Sequence, residues 1–296
     1  MIIRVQDLVK HYGDVVAVDG LSFEVERGEI FGLLGPNGAG KTTTIRIVMD
    51  ILQPDAGSAT VLDRSPEQAK SSVGYLPEER GLYRNLKVLD NLVYLAELKG
   101  VPRTTARERA SYLLERVQLQ DWAKRKVRDL SQGMQQRLQF VASLVHDPEV
   151  LFLDEPFQGL DPVNTERLKR FVHDLHEEGK TIVFSTHQMN MVEALCERIL
   201  LINKGQAVLY GRLAEIKQQH APNAIRVRAR QIPPDLPGVR EVEQDDGAYN
   251  LTLEDGVVPQ TVLRALLDRG VMVEAFEVAP VPLEDIFVMA VGGEEA

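Results

Sequence analysis

Cysteine is almost missing from this 296-residue chain, in which Cys196 stands alone. One thiol excludes an intramolecular disulfide and any zinc site made only of cysteines. The plain reading of Cys196 is a small buried hydrophobe. Long apolar runs are missing too. No stretch approaches the ~20 residues needed to cross a bilayer. The opening IIRVQDLVK alternates like a strand and lacks the apolar segment of a signal peptide. The chain is expected to be soluble and cytoplasmic, so any work at a membrane needs another polypeptide to supply the span. A basic excess is also lacking: 34 Lys and Arg against 44 Asp and Glu leave a net charge of −10. Phosphate neutralisation needs a basic face, so no nucleic-acid partner is expected.

What is present suits a globular protein of about two domains, with 44 % apolar residues for their cores. Residues 1–33 read as three strands, IIRVQDLV, VVAVDGLSFEV and EIFGLLG, with turns at Gly13 and Gly28. A helix is expected over GKTTTIRIVMDIL (40–52), then strands at SATVLD and SSVGYLPE. From about 84 to 146 the period becomes helical, in NLVYLAELKG, RERASYLLERVQL and GMQQRLQFVASLV. VLFLDE is almost wholly apolar, as a strand inside a parallel sheet should be. Helix, strand, helix and strand follow at TERLKRFVHDLHEEG, TIVFST, MNMVEALCER and ILLINKG. The first domain is therefore α/β over 1–215, with a helical subdomain inserted at 84–146. The polar KQQHAPN marks a boundary. A small α+β domain is expected over 224–291, and the GGEEA tail should fray. Trp122, Met189 and Met191 read as packing residues, and KRKVR (124–128) as a solvated face.

The chemistry begins at GPNGAGKTT, which matches G-x-x-x-x-G-K-[ST] between an expected strand and an expected helix. The residues concerned are Gly35, Pro36, Asn37, Gly38, Ala39, Gly40, Lys41, Thr42 and Thr43. The glycines allow successive N–H groups to wrap phosphates, Lys41 would reach the β- and γ-phosphates, and Thr42 would hold Mg²⁺. Asp154, at the end of VLFLD, is placed to hold Mg²⁺ through water. Glu155 beside it is placed to polarise an attacking water. His187 follows TIVFST at the edge where ligands of parallel sheets bind, and there it could hydrogen-bond a γ-phosphate.

LSQGMQQR (130–137) adds a second anion-attracting feature, a helix start at Ser131 and Gly133 with a hydroxyl and N–H groups facing outward. The phosphate loop, LSQGMQQR, VLFLDEP, GLDP and STH occur in that order. Together they make residues 1–215 resemble the nucleotide-binding subunit of an ATP-binding cassette (ABC) transporter. The resemblance implies a P-loop NTPase fold with a mixed sheet, bound ATP and Mg²⁺, and a homodimer or a pair with a related cassette. Two subunits would sit head to tail, with two ATP between them, each capped by Ser131 and Gly133 of the opposite subunit. The family pattern is Leu-Ser-Gly-Gly-Gln, from which Gln132 and Met134 depart.

The same resemblance implies that Tyr12 stacks on adenine and that Asp161 lies in a loop crossing between subunits. Glu78 stands where the family has a glutamine that ligates Mg²⁺ and relays nucleotide state. GYLPEERGLY, LSQGMQQ and the strand-rich tail are similar to ATPase subunits of bacterial sodium-extrusion and drug exporters. They imply a separate multi-span membrane permease and a place at the inner face of the cell membrane. The alternative is a non-transport ABC ATPase acting on a ribosome or DNA complex.

Overall fold

The structure is a computed structural model that describes residues 1–79, 81–220, 224–245, 247–254, 256–278 and 282–292. It divides into two units at Leu213/Ala214. In the first unit, β1 (Ile3–Tyr12), β2 (Val15–Val25) and β3 (Ile30–Leu34) lead into α1 (Lys41–Val48). Then come β4 (Ala56–Val61), α2 (Pro66–Ala69) and β5 (Val73–Leu76). The helical stretch holds α3 (Val88–Leu98), α4 (Arg103–Arg116) and α5 (Gln132–Leu144). The core resumes with β6 (Val150–Asp154), α6 (Pro162–Glu177), β7 (Thr181–Thr186), α7 (Met189–Leu195), β8 (Arg198–Asn203) and β9 (Gln206–Arg212).

Six strands form one sheet in the order β5-β6-β7-β3-β8-β9. All neighbours are parallel except β8 and β9. Every residue of β3, β6 and β7 is buried, as their near-continuous apolar composition requires. A second, antiparallel sheet has the order β2-β1-β4. Ile3, Val5, Leu21 and Phe23 from it share one core with Phe31, Ile45, Phe152 and Val183. Cys196 is buried as expected. It packs so closely on β3 that a methyl group on Gly32 would lie 2.7 Å from its Sγ.

The second unit contains β10 (Ala224–Ala229), β11 (Val239–Asp245), β12 (Ala248–Leu253), α9 (Pro259–Asp268), β13 (Val273–Val278) and α10 (Leu283–Gly292), after α8 (Leu213–His220). Its strands form an antiparallel sheet ordered β11-β12-β10-β13. Ile225, Val227, Leu251 and Leu253 pack with Val262 and Leu266 of α9. The α/β cassette with a mixed sheet and a small C-terminal α+β unit is thus the architecture found.

Four local readings change. The helix expected over 40–52 stops at Val48, because Asp50 takes a left-handed backbone (φ 53°) and the Ile51 N–H turns back to the Arg46 carbonyl. The polar KQQH belongs to α8, where Leu213 and Ile216 are both buried and supply an apolar stripe. The remaining Ala221, Pro222 and Asn223, like the tail from 293, lie outside the described residues. The helix read over MNMVEALCER stops at Leu195, with Cys196 already extended toward β8. Trp122 is an exposed side chain rather than a packing one.

Candidate nucleotide site

Four consecutive neighbours in the sheet, β5, β6, β7 and β3, deliver their C-terminal ends to one edge. Register does the positioning: Asp154 pairs with Ser185, and Leu34 with Thr186. The phosphate loop leaves β3 there and turns into α1, whose first residue is Lys41. Gly40, at φ 109°, caps this helix, and no side chain occupies its N-terminal N–H groups. The start of α1 is thus open to an anion. Two glycines are sterically required. A Cβ at Gly35 would lie 2.1 Å from the Ile202 carbonyl oxygen, and one at Gly40 would lie 2.3 Å from that of Ala17.

A cavity of about 340 Å³ lies over this loop. It is lined by Asn37, Gly38, Ala39, Gly40, Lys41, Thr42 and Thr43, and across from them by Ala17, Glu78, Glu155 and Gln158. Lys41 is buried, and its ammonium donates to the carbonyls of Gly35 (2.7 Å) and Pro36 (3.1 Å). The same nitrogen is 3.8 Å from Glu155 Oε1. Burial draws the Lys41 ammonium below its usual range, against the opposing pull of Glu155, Asp154 and Glu78.

Asp154 is 1 % exposed. Its Oδ1 accepts hydrogen bonds from Thr42 Oγ1 (3.1 Å) and from the Ser185 hydroxyl. Its Oδ2 is buried with no partner. A buried carboxylate oxygen without a donor is costly, and a cation beside Thr42 would satisfy it. The donors are hard oxygens, the type Mg²⁺ takes. No group of three His, Cys, Asp or Glu that could cage a metal occurs among the described residues. A metal here would draw its other ligands from phosphate and water.

Glu155 is the following residue and has a left-handed backbone (φ 47°), an uncommon conformation for a glutamate. The Glu155 N–H donates to the Ser185 carbonyl (3.1 Å). Its Oε2 accepts from Thr186 Oγ1 (3.2 Å), and its Oε1 lies 2.9 Å from His187 Nδ1. Thr186 is itself fixed, since its Oγ1 accepts the Gln188 N–H (3.0 Å). The carboxylate is therefore oriented by two hydrogen-bonding side chains at the cavity wall, with the Lys41 ammonium 3.8 Å away.

Glu78 follows β5 and lines the same cavity. The carbonyls on either side of it, from Pro77 and Glu79, both accept from Gln139 Nε2 (3.0 and 2.9 Å). Gln139 belongs to α5, so the Glu78 segment is tied to the helix that Ser131 begins.

Tyr12, Ser131, Gly133 and Asp161 do not line the cavity. Tyr12 ends β1, is exposed, and has Lys10 Nζ 5.9 Å from its ring centre. Ser131 caps α5, but its hydroxyl is not wholly free, because Oγ accepts the Met134 N–H (3.3 Å). The hydroxyl proton and the N–H groups of Gln132 and Gly133 remain available. Asp161 caps α6 by accepting the Asn164 N–H (3.0 Å). Asn164 also neighbours Gly133, where a Cβ would lie 3.5 Å from its amide nitrogen. The start of α5 and the Asp161 loop thus lie side by side, and none of Ser131, Gly133 and Asp161 lines the phosphate-loop cavity of its own chain.

The chain is similar to known proteins over both of its units. Residues 18–158 match the ABC transporter family, and residues 211–291 match the C-terminal domain of DrrA1-3-like ATP-binding proteins. The uncharacterized ABC transporter ATP-binding protein YhaQ of Bacillus subtilis is 39 % identical, over 98 % of this chain and 98 % of its own. The chain belongs to the ABC transporter ATP-binding proteins. This ABC ATPase is also 37 % identical to the linearmycin resistance ATP-binding protein LnrL of Bacillus subtilis, over 72 % of this chain and 70 % of LnrL. Among solved structures, it is similar to an ATP-binding subunit of an ABC transporter, with a TM-score of 0.69 and 28 % identity. That match covers 74 % of this chain and 93 % of the other. It is likewise similar to CbiO1 of Clostridium perfringens, part of the CbiONQ transporter complex, with a TM-score of 0.65 and 26 % identity over 74 % and 93 % of the two chains. Among the described residues of this ABC ATPase, no helix is long and apolar enough to cross a membrane.

Ser185, Thr186, Gln139, Gln158 and Ala17 escaped the sequence reading. Ser185 and Thr186 stood in the quoted STH context, but only strand register reveals which carboxylate each holds.

Proposed function

We propose that this ABC ATPase drives an exporter by coupling ATP hydrolysis to a separate membrane permease, at the inner face of the cell membrane. The observation that carries the catalytic half is the oriented Glu155 carboxylate at the wall of the phosphate-loop cavity, beside Asp154 with its unpartnered Oδ2. The N–H groups of residues 38–43 and the Lys41 ammonium would bind the β- and γ-phosphates. Thr42 and Asp154 would hold Mg²⁺, with Glu78 as a further oxygen ligand. Mg²⁺, when bound, offsets phosphate charge and keeps the phosphates in one geometry. Glu155 takes a proton from the water that attacks the γ-phosphorus. The bond to the β-γ bridging oxygen breaks, and ADP leaves with phosphate. His187 keeps Oε1 of Glu155 aimed during that transfer.

The second half concerns assembly. Ser131, Gly133 and Asp161 lie together but do not line the phosphate-loop cavity of their own chain. That separation supports a head-to-tail homodimer, or a pair with a related cassette, in which each signature caps ATP held by the other. Tyr12 would stack on adenine beyond the cavity. LnrL is named for resistance to linearmycin, and a Ralstonia relative is named a Nod factor export protein; these names support export over a role at a ribosome or DNA.

The deciding experiment is Mg-ATPase activity of Glu155→Gln. The expected result is nucleotide binding near wild type and a turnover loss of about 10²–10⁴. Wild-type turnover would remove Glu155 as the base.

A further inference from the structure

A second cavity, of about 180 Å³, lies between the end of α4, the body of α5 and the middle of α6. It shares no residue with the phosphate-loop cavity. Phe140 and Phe171 form an aromatic wall, with ring centres 5.3 Å apart. Arg116 covers Phe171 at 4.3 Å and is already neutralised by Asp174 and Glu178 (3.0 and 2.8 Å).

Three more guanidinium groups line the same space, those of Arg137, Arg167 and Arg170. Among the described residues, none of these three has a carboxylate within ion-pair distance. Arg137 spends one N–H on the Val117 carbonyl (2.7 Å). Its Nε is buried and has no acceptor at all. Burial and the neighbouring charge of Arg167 both push the Arg137 guanidinium below its usual range, with Asp161 opposing them. Like charges beside a buried orphan donor are unfavourable unless an acceptor of opposite sign completes the set. Guanidinium groups are suited to that acceptor, since their planar forks match carboxylate and phosphate oxygens.

We propose that this cavity binds a small organic anion, in which a carboxylate or phosphate group is held by Arg137, Arg167 and Arg170 and an apolar body rests on Phe140 and Phe171. The size admits a body of about one benzene ring, since a cavity of roughly 150 Å³ accommodates benzene. The occupant would touch α5, which Ser131 begins, and α6, which Asp161 begins.

Binding can be read by calorimetry on the full chain, with ADP and Mg²⁺ present in excess so that the phosphate loop is filled. Benzoate and phenyl phosphate are the probes, and the tighter of the two identifies the charged group. Benzyl alcohol carries the ring without charge, and inorganic phosphate carries charge without the ring. Each control is expected to bind at least about tenfold more weakly than the better probe. Arg167 and Arg170 are exposed, so Arg167→Gln/Arg170→Gln should fold, as thermal unfolding would verify. This variant is expected to lose about tenfold or more in probe affinity. The proposal is overturned if neither probe binds, if the double variant binds as well as wild type, or if either control matches the better probe. Should the double variant fail to fold, Phe171→Leu carries the test by the same loss of probe affinity.

Discussion

His187 Nδ1 lies 2.9 Å from Glu155 Oε1, joining the ends of two adjacent parallel strands. If the carboxylate is ionised, Nδ1–H is the donor. A ring that also donates to phosphate through Nε2 must then carry both protons. His187→Ala removes this alignment and leaves Thr186 as the remaining hydrogen-bond donor to the carboxylate. The expected outcome is a turnover loss of about 10² with nucleotide affinity little changed. Single-turnover hydrolysis beside equilibrium nucleotide binding separates the two quantities.

Lys41 is enclosed by the Gly35 and Pro36 carbonyls and lies near Glu155. Because its charge offsets phosphate in the ground state, Lys41→Ala should weaken nucleotide binding itself by tenfold or more, about 1.4 kcal/mol. Titration with a fluorescent nucleotide measures this. Unchanged affinity would contradict the assignment of the loop.

Ser131 should act on nucleotide bound by another copy. In the Glu155→Gln background, where ATP persists, light scattering with ATP and Mg²⁺ is expected to find a dimer. Adding Ser131→Arg should leave monomeric chains that still bind ATP. A double variant that dimerised equally well would refute the opposed arrangement.

His146 links pH to stability. It is largely buried, and its Nε2 lies 3.0 Å from the Val73 carbonyl, so the neutral ring donates there. Burial lowers its pKa from 6.5 to about 4, with the Val73 bond opposing and the Lys99 charge adding to the fall. Between those values the unfolded chain binds the extra proton and the folded chain does not. The contribution is therefore complete above about pH 6.5 and is lost as pH falls toward 4. Its size is on the order of 3 kcal/mol. Denaturant unfolding at pH 7 and pH 4.5 should show a smaller loss for His146→Gln than for wild type. Equal losses would mean that His146 does not report this burial.

Much of the site is legible because its parts are contiguous. Glycine spacing and an adjacent Lys-Thr identify residues 35–43, and an apolar run ending in two acids identifies Asp154 and Glu155. Ser185 and Gln139 are different: each acts across a gap closed only by folding, onto Asp154 and onto the backbone around Glu78. Element limits escaped where one residue's backbone decides them, as Asp50 does for α1. The strand β9 passed unread because its short alternation, QAVLYGR, lies at a sheet edge and is only half buried. The polar KQQH looked like a linker because two buried apolar residues are too few to announce a helix in so short a window.

Cys196, wedged against Gly32, has its thiol pushed well above the usual range by burial. Thiolate is the species that attacks maleimides and is attacked by peroxides, so this sulfur stays chemically silent at neutral pH. A cysteine introduced on the surface, at Val163 for instance, would become the sole handle for a dye or spin label. Movements of one copy against another could then be followed by spectroscopy with the native sulfur left in place.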